Sequence, residues 1–160
     1  MWLATESHPQ ISAVVDIDGL PALGALIGNQ QASSSKMPRS FDPKSMIKSM
    51  VHNEAWHPQM LNEMMTSYPM TSGRAFGELM QLDLRDKLVK IERPVLTIAA
   101  PAHVEPYESY DVTKNNYLTQ MANIPDNLNY MVYAKSTKHF FMAHKPERMF
   151  NQIELFLSSL

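Results

Sequence analysis

The run Ile11-Ser12-Ala13-Val14-Val15-Asp16-Ile17-Asp18 constrains the fold more than any other stretch of the chain. It is nearly continuous in apolar, mostly β-branched residues and shows no clean alternation of polar and apolar positions. Such a run marks a strand buried on both faces, the usual state of a parallel strand in an α/β sheet. Gly19-Leu20-Pro21 breaks it. His8-Pro9 closes what comes before, because the residue preceding a proline avoids the helical region. Trp2 to Thr5 reads as the last turn of a helix. Two later runs share the strand character: Val95 to Ala100, and Leu128 to Ala134 with its aromatic residues. Parallel strands need long crossovers, right-handed in almost every known case, so helices are expected between them.

The intervening sequence supplies them. Asp42-Pro43 is a helix start, with Asp as cap and Pro at the first position. Met46, Ile47, Met50 and Val51 come next at helical spacing. A second helix is expected from His57-Pro58 through Met60, Leu61, Met64, Met65 and Tyr68, with Pro69 as its stop. A third is expected from Thr71 or Ser72, carrying Phe76, Leu79, Met80 and Leu82. Tyr110 to Met121 reads as another, with Tyr110, Tyr117, Leu118 and Met121 as its buried positions. After Pro146, residues Met149, Phe150, Ile153, Phe156, Leu157 and Leu160 recur at three and four, one buried face. Eight of the 13 methionines lie between Met37 and Met80. Unbranched methionine suits a core gap and equally a deformable apolar lining over a binding site.

Composition excludes several functions. With 160 residues the chain has room for one domain with a real core. The net charge of -2 and the lack of a basic tract argue against nucleic acid or an anionic membrane as partner. There is no cysteine, so disulfides and cysteine-based metal or nucleophile chemistry are excluded. No apolar run approaches the roughly 20 residues of a membrane span. Met1-Trp2-Leu3-Ala4, succeeded at once by Thr5-Glu6-Ser7-His8, has neither the basic region nor the apolar length of a signal peptide. His52 and His57 are five apart, which is not the spacing of a helical zinc pair, and His144 is expected to be solvated. No metal or cofactor site is expected.

His139 comes after the third strand and its polar turn, Lys135 to Lys138, and stands just before a packed helix. That is where a catalytic base would sit, and equally where a structural histidine would. The order and spacing of several short motifs bear on the choice. They are His8-Pro9 with the strand, Asp18 and Gly19-Leu20-Pro21 after it; Arg93-Pro94-Val95-Leu96-Thr97-Ile98; Ile124-Pro125-Asp126-Asn127-Leu128; and Lys138-His139-Phe140 through Pro146-Glu147-Arg148-Met149-Phe150. In that order they resemble the C-terminal part of the α/β-hydrolase fold.

The resemblance implies a partial α/β-hydrolase fold, three parallel strands with flanking helices plus an inserted helical cap. It implies that residues 1–160 are the C-terminal part of one domain, core 1–21 and 89–160, with the cap at about 22–88. By the same resemblance His139 is the triad histidine and Asp18 its acid. Glu105 is the alternative acid, two residues beyond His103, which stands near the place where many members carry an aspartate. The plainer role for Asp18 is that of a turn carboxylate capping backbone N–H groups. Asp16 shares its face only while the strand stays regular.

The family's nucleophile sits on a tight turn, usually Gly-x-Ser-x-Gly. None of the five glycines flanks a serine in that pattern, so the nucleophile and the oxyanion donors are expected upstream of Met1. The implied chemistry is Ser-Asp-His hydrolysis of a small apolar, ester-like substrate. An aspartate nucleophile, as in dehalogenases and epoxide hydrolases, is a variant. The rival from another class is a non-catalytic remnant or interaction module. The strand Ile11 to Asp18, stripped of a neighbour, would also invite self-association.

Overall fold

A computed structural model describes residues 1–6, 8–26, 42–100, 110–135 and 137–160. A short helix, α1 (Trp2–Thr5), precedes strand β1 (Val14–Ile17). Helices α2 (Pro43–Met50), α3 (His57–Thr66) and α4 (Pro69–Gln81) come next, then β2 (Val95–Ala99). Helix α5 (Tyr110–Gln120) leads to β3 (Asn129–Tyr133), and α6 (Phe141–His144) and α7 (Pro146–Ser158) end the chain.

The three strands form one parallel sheet in the order β1-β2-β3. Val14 stands beside Val95, and Val95 beside Asn129. The expected strand Ile11 to Asp18 contracts to four residues, but its ladder runs on at both ends. Val14 N–H donates to Pro94 C=O and Asp18 N–H to Ile98 C=O, each at 2.9 Å. Because side chains alternate across a strand, β2 feeds two cores. Val95 and Ala99 pack with Ala4, Leu88, Ile91, Tyr117, Met121 and Ile124. Leu96 and Ile98 pack with Ala100, Ala134, Phe141, Met149 and Phe156. Every residue of β2 is buried, whereas every residue of β1 is only half-buried, as befits a strand at the sheet's edge.

Helix α2 starts as its sequence dictates. The Asp42 carboxylate accepts from the N–H groups of Lys44 and Ser45, both at 3.2 Å, and satisfies two otherwise orphaned donors. Ile47 and Val51 anchor it in the interior. Pro69 begins α4 rather than merely ending α3, because proline is as well suited to a first helical position as to a stop. Neither α3 nor α4 buries any residue, and Met65, Met70 and Phe76 are exposed. Methionine as core filler therefore describes Met121 and Met149, not the methionines of these two helices.

Two expected faces are narrower than their periodicity suggested. On α7 the inward stripe is Met149, Ile153 and Phe156, while Phe150, Leu157 and Leu160 are exposed. A helix resting on a three-stranded sheet touches it along one line, so the flanking apolar positions stay in solvent. On α5, Tyr117 is buried but Leu118 is exposed, and Met121, just after the helix, is buried. The inward position beside them goes to Gln120, whose side-chain carbonyl accepts Ala22 N–H at 3.0 Å.

Candidate active site at the carboxyl ends of the strands

Asp18 and His139, 121 residues apart in sequence, meet beyond the carboxyl ends of β1 and β3. Asp18 is the first residue after β1 and has φ 55, the left-handed region that disfavours a side chain. Such a conformation costs on the order of 1 kcal/mol and needs surrounding contacts to hold it. Besides the backbone bond from Asp18 N–H to Ile98 C=O, those contacts reach the carboxylate. Oδ1 accepts Ala100 N–H at 2.7 Å, from the residue after β2, and the Tyr117 hydroxyl at 2.5 Å, from α5. Oδ2 lies 2.7 Å from His139 Nδ1. An ionised carboxylate only accepts, so Nδ1 carries the proton in this bond, and in the neutral ring Nε2 then keeps its lone pair. The Asp18 side chain is 8% exposed and that of His139 43%, so the acid is enclosed while the imidazole faces outward.

The next residue explains the turn. A Cβ at Gly19 would fall 2.2 Å from Asp16 Oδ1, closer than any side chain allows. Asp16 itself points into the sheet's interior. Its Oδ2 is buried without a hydrogen-bond partner among the described residues, and desolvation chiefly, with the Asp18 charge adding to it, raises its pKa. Asp16 and Asp18 therefore lie close enough for each other's charge to matter, and both act on Tyr117. Burial, then the charge and hydrogen bond of Asp18, raise the Tyr117 phenol far above its usual range. Tyr117 thus remains a donor at every working pH.

The His139 loop is held from three sides. Ala134 N–H donates to Ala99 C=O at 2.8 Å, continuing the ladder past β3. Phe140 N–H donates to Met50 C=O at 3.0 Å, and the Lys138 ammonium donates to Lys48 C=O, so the end of α2 grips the loop. The Phe140 ring stands edge-on to the imidazole, centroids 5.0 Å apart. Phe141, wholly buried, starts α6 and anchors the segment from beneath.

The other sequence candidates scatter. Glu105 and His103 lie outside the described residues. His57 Nε2 makes a 3.1 Å contact with Val51 C=O. His144 is not freely solvated: it is half-buried and packs on His52, ring centroids 4.3 Å apart. Its pKa is lowered by desolvation first, then by His52 and Lys145. Tyr117 carried no local signal of a role at the site; its spacing on α5 marked it only as a buried position.

A parallel α/β sheet with a buried carboxylate and a half-exposed histidine joined at the strands' carboxyl ends is the architecture in hand, and the fold is that of part of an α/β hydrolase. Two solved structures share it. One is a hydrolase from Pseudomonas aeruginosa PA01, 17% identical, with a TM-score of 0.66 over 98% of this chain and 59% of that one. The other is a lipase-esterase related protein from Clostridium acetobutylicum ATCC 824, 15% identical, with a TM-score of 0.58 over 96% of this chain and 59% of that one. The chain thus spans 59% of the length of each. No family model and no curated protein sequence matches it. Among the described residues, no helix is long and apolar enough to cross a membrane.

Proposed function

We propose that the chain is the C-terminal part of an esterase-like hydrolase domain using Ser-Asp-His chemistry on a small apolar acyl substrate. The observation that carries this reading is the 2.7 Å bond between Asp18 Oδ2 and His139 Nδ1. With Nδ1–H engaged, His139 Nε2 is the basic atom and takes the proton of a serine hydroxyl as that oxygen attacks the ester carbonyl. Asp18 keeps the imidazole in the right tautomer and stabilises the imidazolium without taking the proton. Nε2 then returns the proton to the leaving alkoxide. The serine and its oxyanion donors belong, on this reading, to the part of the domain outside these 160 residues. On this reading helices α2, α3 and α4 belong to the cap over the site, and the exposed Met65 and Met70 face the substrate side of the complete protein.

The test joins this chain to the segment encoded directly upstream and measures hydrolysis of p-nitrophenyl esters. Turnover is expected in the joined protein and lost in its His139→Ala variant. The 160-residue chain alone is expected to stay at the level of its own His139→Ala control. A joined protein with an intact fold and no esterase activity would favour the rival, a non-catalytic module that keeps the fold. An upstream Gly-x-Asp-x-Gly in place of Gly-x-Ser-x-Gly would move the reaction to an aspartate nucleophile.

A further inference from the structure

Among the described residues the buried hydroxyl of Tyr117 donates to the acid of the histidine pair. Tyr117 is 3% exposed and comes from α5. The two oxygens of Asp18 are used asymmetrically. Among the described residues Oδ1 takes both supporting donors, Ala100 N–H and Tyr117 O–H, while Oδ2 is left to His139. Ala100 N–H by itself fixes one point of a carboxylate that can still turn about its Cβ–Cγ bond. A second donor on the same oxygen, arriving from another direction, fixes the plane. We infer that Tyr117 is a positioning residue: it holds the Asp18 carboxylate in the one orientation that keeps the proton of His139 on Nδ1.

The surrounding charges make the second donor useful. Asp18 sits near the buried Asp16 carboxyl, and Asp16 and Tyr117 each feel the Asp18 charge. Lys138 lies one residue from His139, but its ammonium is directed to Lys48 C=O. Hydrogen bonds to a charged carboxylate favour its ionised form in a buried place. Groups behind the first interacting pair often orient it in the same way around metal-bound histidines. This inference rests on the proposal that Asp18 and His139 act as acid and base.

The experiment reads the pair directly and needs no nucleophile. The full 160-residue chain is labelled with 15N in its histidines, and the His139 ring nitrogens are assigned with a His139→Gln control. Spectra are taken in solution, or by magic-angle spinning if the chain associates. The wild-type ring is expected mainly as the Nδ1–H tautomer. Tyr117→Phe, which deletes one oxygen, should lower the ratio of Nδ1–H to Nε2–H about threefold to tenfold, the scale of one net hydrogen bond. In an Asp18→Asn background the same substitution should change nothing further. As a probe that keeps the phenol, replacing tyrosine with 3,5-difluorotyrosine sharpens the donor and should move the ratio the other way. An unchanged or higher ratio in folded Tyr117→Phe, or an equal shift without Asp18, overturns the inference. If Tyr117→Phe fails to fold, an unmoved ratio with difluorotyrosine does so instead. Esterase failure of the joined protein would sink the functional reading and leave the tautomer shift standing. An active enzyme with an unmoved tautomer would sink only the role of Tyr117.

Discussion

At the scale of single residues the chain spends stability on two aspartates in one short turn. Asp18 holds a left-handed backbone, and Asp16 holds a buried oxygen, Oδ2, without a hydrogen-bond partner among the described residues. For Asp16 the sign of the linkage is set by its raised pKa, caused mainly by desolvation. Its folded value lies above the unfolded one, so its stabilising, protonated form is fully present below the ordinary aspartate range. That contribution is lost as pH rises through the folded value. Above the ordinary aspartate range the buried Asp16 is therefore a cost, because the fold opposes its ionisation. Asp16→Asn is expected to raise the melting temperature at pH 7 and to leave it almost unchanged near pH 3, by calorimetry at both. A rise of equal size at both pH values would show that the charge is not the cause. For Asp18 the expectation is catalytic. In the joined protein, Asp18→Asn should lower kcat by orders of magnitude, about 10⁴-fold if it behaves as the triad aspartate of a serine protease does. Glu105→Gln should have far less effect, and the reverse ranking would move the acid to the loop after β2. The place of Asp18, after an apolar run and before Gly-Leu-Pro, was legible in the sequence. The left-handed turn was not, because non-glycine residues seldom adopt it and nothing local announces it.

At the scale of elements, propensity and caps were readable and packing was not. Asp42-Pro43 fixed the start of α2, and the three strand runs gave all three strands. The outer positions of α7 were misjudged because a periodic sequence shows which residues share a face but not how much partner surface covers it. The grip of α2 on the His139 loop was likewise invisible, since Phe140 N–H to Met50 C=O is a backbone bond that any residue can make. The close approach at Gly24 has the same character. A Cβ there would lie 1.9 Å from the Met80 carbonyl oxygen, a backbone atom that has little freedom to yield. Gly24→Ala should thus push the end of α4 away and cost roughly 1–3 kcal/mol, as overpacking does. Urea unfolding checks this, with Gly73→Ala as the control. Nothing lies within 4 Å of a Cβ at Gly73, inside α4, so alanine there should be neutral or stabilising. Equal losses at both sites would show that the Met80 contact is not what matters.

At the scale of the whole molecule, β1 is the odd member. Its composition suits burial on both faces, yet all four residues are only half-buried, and among the described residues it pairs only with β2. Val14 and Asp18 direct their N–H groups to β2. By the period of two along a strand, Val15 and Ile17 direct theirs to the open side. A row of unpaired donors and acceptors beside an apolar surface is a template for another chain. The exposed Met65 of α3 and Met70 and Phe76 of α4 add apolar area to the same molecule. The isolated 160-residue chain is therefore expected to associate as its concentration rises, read by multi-angle light scattering. Val15→Pro removes a donor on the open side without touching the ladder to β2, a placement that edge strands tolerate. It should shift the mass toward monomer while the melting transition survives. Asp16→Pro removes a donor to β2 instead, and should unfold the sheet. If Val15→Pro leaves association unchanged in a folded chain, the contact runs through the α3–α4 surface rather than the edge. A wild-type chain that stays monodisperse and melts cooperatively at every concentration would mean that β1 needs no neighbour, and that the three-stranded sheet is sufficient by itself.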